Sequence, residues 1–277
     1  MKLAISNIAW SQTEDAAIGE VLRHEGVHAV ELAPTAWRER PLEAPTADVL
    51  ALRRAWEDRG IAVVALQSLL FGRPDLQLLG SDASRTSLLD HLRRTVDFAA
   101  VLGARALVFG SPKNRRRGDL PLRDALGIAH EFLRAIGEYA YERDTVLCLE
   151  ANPPAYGCDF VTTTAEAVQL CRAVDHPGVR VNGDLGGMML AREDIAAAIA
   201  LAAPVLGHFH ASEPHLAETG SGAAHGAAGA ALRAAGYMGW ISIEMRAADR
   251  GDHLAAAARA VRRAKADYFA DEPVSPP

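Results

Sequence analysis

Four stretches of this chain run apolar for several residues and then stop on a group that can bind a proton or a metal. Val146-Leu147-Cys148-Leu149 ends on Glu150, and Val179-Arg180-Val181 passes through Asn182-Gly183 to Asp184. Val205-Leu206-Gly207 leads into His208-Phe209-His210, and Trp240-Ile241-Ser242-Ile243 ends on Glu244. Short apolar runs of this kind predict strands buried on both faces. Four more runs, closing near Asn7, Glu31, Gln67 and Gly110, complete a set of eight.

Between the runs the apolar spacing changes to that of a helix. Leu88, Leu92, Val96 and Ala99 share one face of a helix predicted over 84–102, and Ala125, Ile128, Phe132 and Ile136 one face of a helix over 123–141. Further helices are predicted over 14–25, 47–59, 164–174, 192–202, 227–235 and 253–268, the first two stopped by Gly26 and Gly60. Eight strand–helix units of roughly 35 residues predict a single-domain (β/α)8 barrel of the α/β class. A doubly wound sheet needs a glycine-rich phosphate loop after its first strand, and Asn7-Ile8-Ala9-Trp10-Ser11 is not one. The barrel is expected over 1–270 and a polar tail over 271–277.

Closure of the barrel brings the carboxyl ends of all strands to one face, so Glu150, Asp184, His210 and Glu244 are expected to converge. Three carboxylates and an imidazole make a hard, oxygen-rich set, suited to one divalent ion. Mn²⁺ fits first, Mg²⁺ or Co²⁺ also, Zn²⁺ less well. Of the two histidines on the seventh strand, His210 is taken as the ligand because it is nearer the carboxyl end, with His208 expected on the opposite face. Loops on the same side supply candidate substrate contacts: Lys113 and Asn114 after the fourth strand, Gln67 and Phe71 at the third, Trp10 after the first, and Glu31 at the second.

Composition narrows the partners. The 277 residues carry a net charge of −6, giving no basic field for a nucleic acid. The longest uncharged apolar run, 195–207, is too short to cross a bilayer and contains Pro204. Cys148, Cys158 and Cys171 form no CxxC pair, which suits reduced thiols and a cytoplasmic setting. A small molecule is the expected partner, with homo-oligomerisation left open.

Leu149-Glu150-Ala151-Asn152-Pro153, Asp184, His208-Phe209-His210-Ala211-Ser212-Glu213-Pro214 and the stretch from Gly236 to Met245 resemble the sugar phosphate isomerase/epimerase family, within the xylose isomerase-like barrel superfamily. The resemblance implies one divalent metal held by Glu150, Asp184, His210 and Glu244, a carbohydrate substrate, and the two glutamates as acid and base around an enediolate. Two departures stand out. Many epimerases of the family carry a substrate-binding histidine three residues after the aspartate, where this chain has Gly187. They also commonly carry an arginine shortly after the strand 7 histidine, where this chain reads Glu213-Pro214-His215-Leu216. Glu213 and His215, with His225 as another candidate, are therefore expected to contribute to substrate binding. The altered recognition set keeps a lyase or dehydratase acting on a modified sugar or glycoside as the alternative. An endonuclease-type phosphodiesterase fits less well, because it requires more metal ligands and a basic face. A carbohydrate-binding barrel without a metal is disfavoured by the intact ligand set.

Overall fold

The computed structural model describes residues 1–219, 223–248 and 251–270. Eight parallel strands close into a barrel in chain order: β1 (Lys2–Ser6), β2 (Ala29–Leu32), β3 (Ala62–Leu66), β4 (Ala106–Phe109), β5 (Val146–Glu150), β6 (Val179–Asp184), β7 (Leu206–Ser212) and β8 (Trp240–Glu244). The seam is a parallel ladder running from Lys2 opposite Trp240 to Ile5 opposite Ile243. Each predicted strand is present and ends within two residues of its expected position. The predicted tail at 271–277 lies outside the described residues.

The long helices form the outer ring: α1 (Asp15–His24), α3 (Thr46–Glu57), α4 (Asp82–Leu102), α5 (Leu122–Tyr141), α6 (Thr164–Val174), α8 (Ile195–Ala202), α9 (Ala223–Ala234) and α10 (His253–Tyr268). Two short helices, α2 (Pro34–Trp37) and α7 (Leu185–Leu190), follow β2 and β6 directly. Local chemistry sets the boundaries. The Ser81 hydroxyl accepts from Ser84 N to open α4, and Gly103, at φ +83°, closes it in a left-handed conformation that glycine adopts without a steric penalty. The helix predicted from residue 192 begins at Ile195 instead, because Asp194 caps it by accepting from Ala197 N at 3.1 Å.

Strand alternation divides the chain into two packed regions. Leu147, Leu149, Val181, Phe209, Ala211, Ile241 and Ile243 face outward and join the helices in the main core. Ala4, Ala29, Ala106 and Cys148 make a separate cluster of small side chains with Val64 and Ala65. Above it the barrel is polar: Ser6, Glu31, Asn182, His208, His210 and Ser242 are all buried. A buried polar layer is costly unless it is paired or binds something, so this end of the barrel is the candidate site.

Candidate active site

His210 stands at the centre of the polar layer, brought there by its place two residues before the end of β7. Its Nδ1 lies 3.1 Å from Glu244 Oε2, 3.4 Å from Glu150 Oε2 and 3.9 Å from Asp184 Oδ2. The four strand ends therefore do come together. Nδ1 makes no hydrogen bond among the described residues, although it is buried and faces three carboxylates. On the other side of the ring, Nε2 lies 3.1 Å from Glu31 Oε1. A carboxylate behind an imidazole fixes which nitrogen carries the proton and which is free to coordinate. Here Nε2 faces Glu31 and Nδ1 faces the three other carboxylates.

The expectation that His208 faces away from His210 is corrected. Residues two apart on a strand share a face, and the His208 ring meets that of His210 edge-on at 5.3 Å with its Nε2 3.4 Å from Glu31 Oε1. Glu31, His208 and His210 thus form a second group with metal-ligand geometry, beneath that of Glu150, Asp184 and His210.

Two of the outer carboxylates, Glu150 and Asp184, are held by specific donors. Asn152 Nδ2 donates to Glu150 Oε1 and Asn182 Nδ2 to Glu150 Oε2, both at 2.8 Å. A Cβ at Gly110 would lie 2.6 Å from Glu150 Oε1, so only glycine leaves room for that carboxylate beside β4. From beneath, the fully buried Arg115 donates to the carbonyls of Gly110, Phe160 and Glu150. Asp184 caps α7 by accepting from Gly187 N at 2.6 Å, and it also accepts from the Ser212 hydroxyl. Gly187 is therefore structural here, since its amide orients the Asp184 carboxylate and a Cβ in its place would come within 2.9 Å of Asp184 Oδ1.

Burial works against every charge in this cluster, and the neighbours decide the outcome. Glu31 is pulled below the usual carboxylate range, because His210 and His208 outweigh its burial. Glu150 is also lowered, burial being overcome by His210, Asn152 and Asn182. Asp184 is pushed up to about 7 by burial and then by the charges of Glu150 and Glu244. Glu244 is raised by burial, which His210 does not offset. His210 is raised well above the ordinary histidine value despite its burial, by the charges of Glu31 and Glu244. Carboxylates crowded to this degree share a deficit of positive charge, which a divalent cation would fill. The orphaned Nδ1 and the hard donor set fit such an ion.

The centre opens into a cavity of about 350 Å³ lined by Gln67, Ser68, Gly110, Glu150, Asn152, Tyr156, Asp184, His215, Glu244 and Arg246, among others. Of the expected substrate contacts, Gln67 and His215 line it. The Gln67 amide donates to Ser6 Oγ at 2.7 Å, and the His215 ring meets Tyr156 edge-on at 5.7 Å. Lys113 is exposed on a neighbouring groove. Asn114 is buried and its amide donates to the carbonyls of Arg73 and Leu76, bracing the loop after β3. Glu213 turns to His225, whose Nε2 lies 3.1 Å from its Oε1. Trp10 is buried in the main core, its indole N–H donating to Asp15 at 2.7 Å. Asn152, Asn182, Ser212 and Arg246 were missed by the sequence reading. Each sits two residues from a ligand on the same strand line, so strand alternation was the available signal. Arg115 and Tyr156 come from loops and had no such signal.

A family model described as the xylose isomerase-like TIM barrel matches residues 20–266. Among solved structures, the chain is similar to D-psicose 3-epimerase from Clostridium cellulolyticum H10, with 17% identity over 97% of this chain and 99% of that one and a TM-score of 0.81. It is also similar to 3-keto-D-glucoside 4-epimerase from E. coli, at 20% identity over 96% and 99% of the two chains and a TM-score of 0.77. An L-ribulose 3-epimerase matches at 19% identity over the full length of both chains, with a TM-score of 0.76. At these identities the likeness establishes the fold. No curated protein sequence matches the chain.

Proposed function

The chain belongs to the xylose isomerase-like TIM barrel family, and from that membership and its carboxylate–histidine centre we propose that it is a divalent-metal-dependent sugar isomerase or epimerase. The observation that carries this reading is the convergence of Glu150, Asp184 and Glu244 within 3.9 Å of His210 Nδ1, which makes no hydrogen bond among the described residues. These four residues would hold the ion, Mn²⁺ before Mg²⁺ or Co²⁺, with Zn²⁺ less suited to so oxygen-rich a set. The bound ion supplies Lewis-acid stabilisation of the substrate oxygens on which negative charge develops.

The rest of the chemistry belongs to the side chains. Two carboxylates lining one cavity can serve as base and acid on the same substrate. Glu150 is kept ionised and has both oxygens oriented by Asn152 and Asn182, so it is assigned as the base that takes the proton from the carbon beside the carbonyl. Glu244, whose Oε2 lies 3.1 Å from His210 Nδ1, is the other glutamate lining the cavity and is assigned the return of a proton to the enediolate. Return to the opposite face of the same carbon inverts it, whereas transfer to the neighbouring carbon interconverts aldose and ketose. Gln67 and His215 line the cavity and are assigned to substrate hydroxyls, as is Arg246, the arginine in that lining. Lys113, Asn114, Glu213 and Trp10 stand outside the lining; Asn114, Glu213 and Trp10 would contribute through the loops they brace, and Lys113 from its neighbouring groove.

Support for the substrate class comes from similar structures, which include a D-psicose 3-epimerase, an L-ribulose 3-epimerase and a 3-keto-D-glucoside 4-epimerase. Turnover of a panel of ketoses and keto-glycosides in D₂O, followed by NMR, tests the assignment. Deuterium is expected at the carbon next to the carbonyl. Glu150→Gln should abolish its incorporation, and Glu244→Gln should leave exchange without net conversion. A converted product free of deuterium after many turnovers contradicts the carboxylate mechanism.

A further inference from the structure

Beside the reaction cavity lies a larger one, about 670 Å³, between the loops that follow β2 and β3 and the middle of α4. Ser68 lines both, so the two spaces meet at that residue. Small-molecule sites span roughly 300–1,000 Å³, and a cavity of about 350 Å³ is enough for a single sugar ring. A monosaccharide would leave the adjoining groove empty.

The groove is built in advance rather than left by a loose loop. His91 lies 2.9 Å from the Leu69 carbonyl through Nε2 and 3.3 Å from Arg73 Nη1 through Nδ1. Burial lowers its pKa, and the neutral ring then donates from Nε2 and accepts at Nδ1, pinning the loop at two points. Asn114 holds the Arg73 carbonyl from the other side at 2.7 Å. Ser68 itself sits at φ +54°, a left-handed conformation that costs a non-glycine residue of order 1–3 kcal/mol and persists where the surroundings enforce it, commonly at ligand clamps. On this braced loop Phe71 is 71% exposed, an aromatic face with no core to pack on. Around it are the polar side chains of Arg73, Arg94 and His91. An exposed ring flanked by hydrogen-bonding groups suits the alternation of C–H and O–H faces on a sugar.

We propose that this groove is a second sugar subsite, so that the substrate is a glycoside or oligosaccharide whose reacting unit sits against Glu150 and Glu244 while its neighbouring sugar stacks on Phe71. The proposal rests on the functional reading above and specifies its substrate class.

Calorimetry with D-fructose and with maltulose, lactulose and isomaltulose, which carry a second hexose on O4 or O6 of fructose, tests it. The titrations use the Mn²⁺-supplemented protein and the metal-free Asp184→Asn variant, so that no turnover is needed. At least one disaccharide is expected to bind about tenfold or more tightly than fructose. Phe71→Ala, which removes the stacking face, and Thr35→Trp, which fills the groove, should each bring that ratio close to one. Equal affinities for fructose and all three disaccharides would overturn the subsite, as would a preference that survives both substitutions. A ratio near one in the parent protein with its metal uptake intact rejects the groove alone, whereas a tenfold ratio in a parent protein that takes up no metal rejects the catalytic reading alone.

Discussion

Replacing Glu31 with Gln probes how the centre is held. Glu31 is fully buried, and its Oε1 is 3.1 Å from His210 Nε2 and 3.4 Å from His208 Nε2. In the metal-free protein the protonated His210 still has Glu150 and Glu244 beside its other nitrogen, so the substitution should not unfold the chain. What it removes is the carboxylate that directs Nδ1 at the ion. Loss of such a partner typically weakens metal affinity about 10–100-fold. At an ion concentration near 100 Kd, binding stabilises the folded state by about 2.7 kcal/mol, and a 30-fold weaker site reduces this to about 0.9 kcal/mol. For a chain of 277 residues the difference corresponds to a drop of about 3 °C in the melting shift produced by Mn²⁺. Calorimetry and paired melts with EDTA and Mn²⁺ measure it. A Mn²⁺ affinity within about threefold of the parent, in a folded Glu31→Gln protein, would refute the orienting role.

Four further outcomes follow from the same geometry. Gly110→Ala places a Cβ 2.6 Å from Glu150 Oε1, so kcat/KM should fall by about 10–100-fold with little change in melting, since small displacements of catalytic groups cost about that much; steady-state kinetics beside a melt checks it. Metal uptake should release protons, because Asp184, pushed up to about 7, and the strongly raised His210 must both lose theirs. Mn²⁺ affinity should therefore rise from pH 6 to pH 8, and titrations in buffers of different ionisation enthalpy count the protons. The same groups set the stability of the metal-free protein. Asp184, Glu244 and His210 have folded values above their unfolded ones, so the folded state binds the extra protons and loses stability as pH rises. Glu31 and Glu150 are shifted down and are already ionised in both states above about pH 5. Metal-free melting temperature should thus decline between pH 5 and 8, and a flat profile would contradict the shifts. Arg115→Met strips the donor from three carbonyls at about 1–3 kcal/mol for each buried acceptor left unpaired; denaturant melts should show a loss of at least about 3 kcal/mol.

The barrel was legible because both of its periodicities are written locally. Apolar runs stop at Glu150, Asp184 and Glu244, and helices stop at Gly26, Gly60 and Gly103, each with positive φ. The short α7 escaped because its signal is a cap rather than a period: Asp184 reads as a strand end and also starts the helix. The proposed ligands were legible for the same reason as the strands, since the fold collects strand ends on one rim. Their support was only partly so. Alternation would have put Asn152, Asn182 and Ser212 beside the ligands, and His208 next to His210 rather than opposite it. Arg115 looked like one of several loop arginines, yet it is wholly buried, and nothing local distinguishes it from Arg116, which is exposed. Such a residue is fixed by which carbonyls the rest of the chain leaves unpaired, and that becomes visible only after folding.

The central claim is that one divalent ion is held by Glu150, Asp184, His210 and Glu244. Anomalous diffraction from crystals grown with Mn²⁺, collected at the manganese edge, tests it most directly, because two ligand groups share His210 and only one can take its Nδ1. A single manganese peak is expected among the three outer carboxylates, bonded to Nδ1, with His210 Nε2 still directed at Glu31. A peak between Glu31, His208 and His210 Nε2, or no peak at saturating Mn²⁺, would contradict the account.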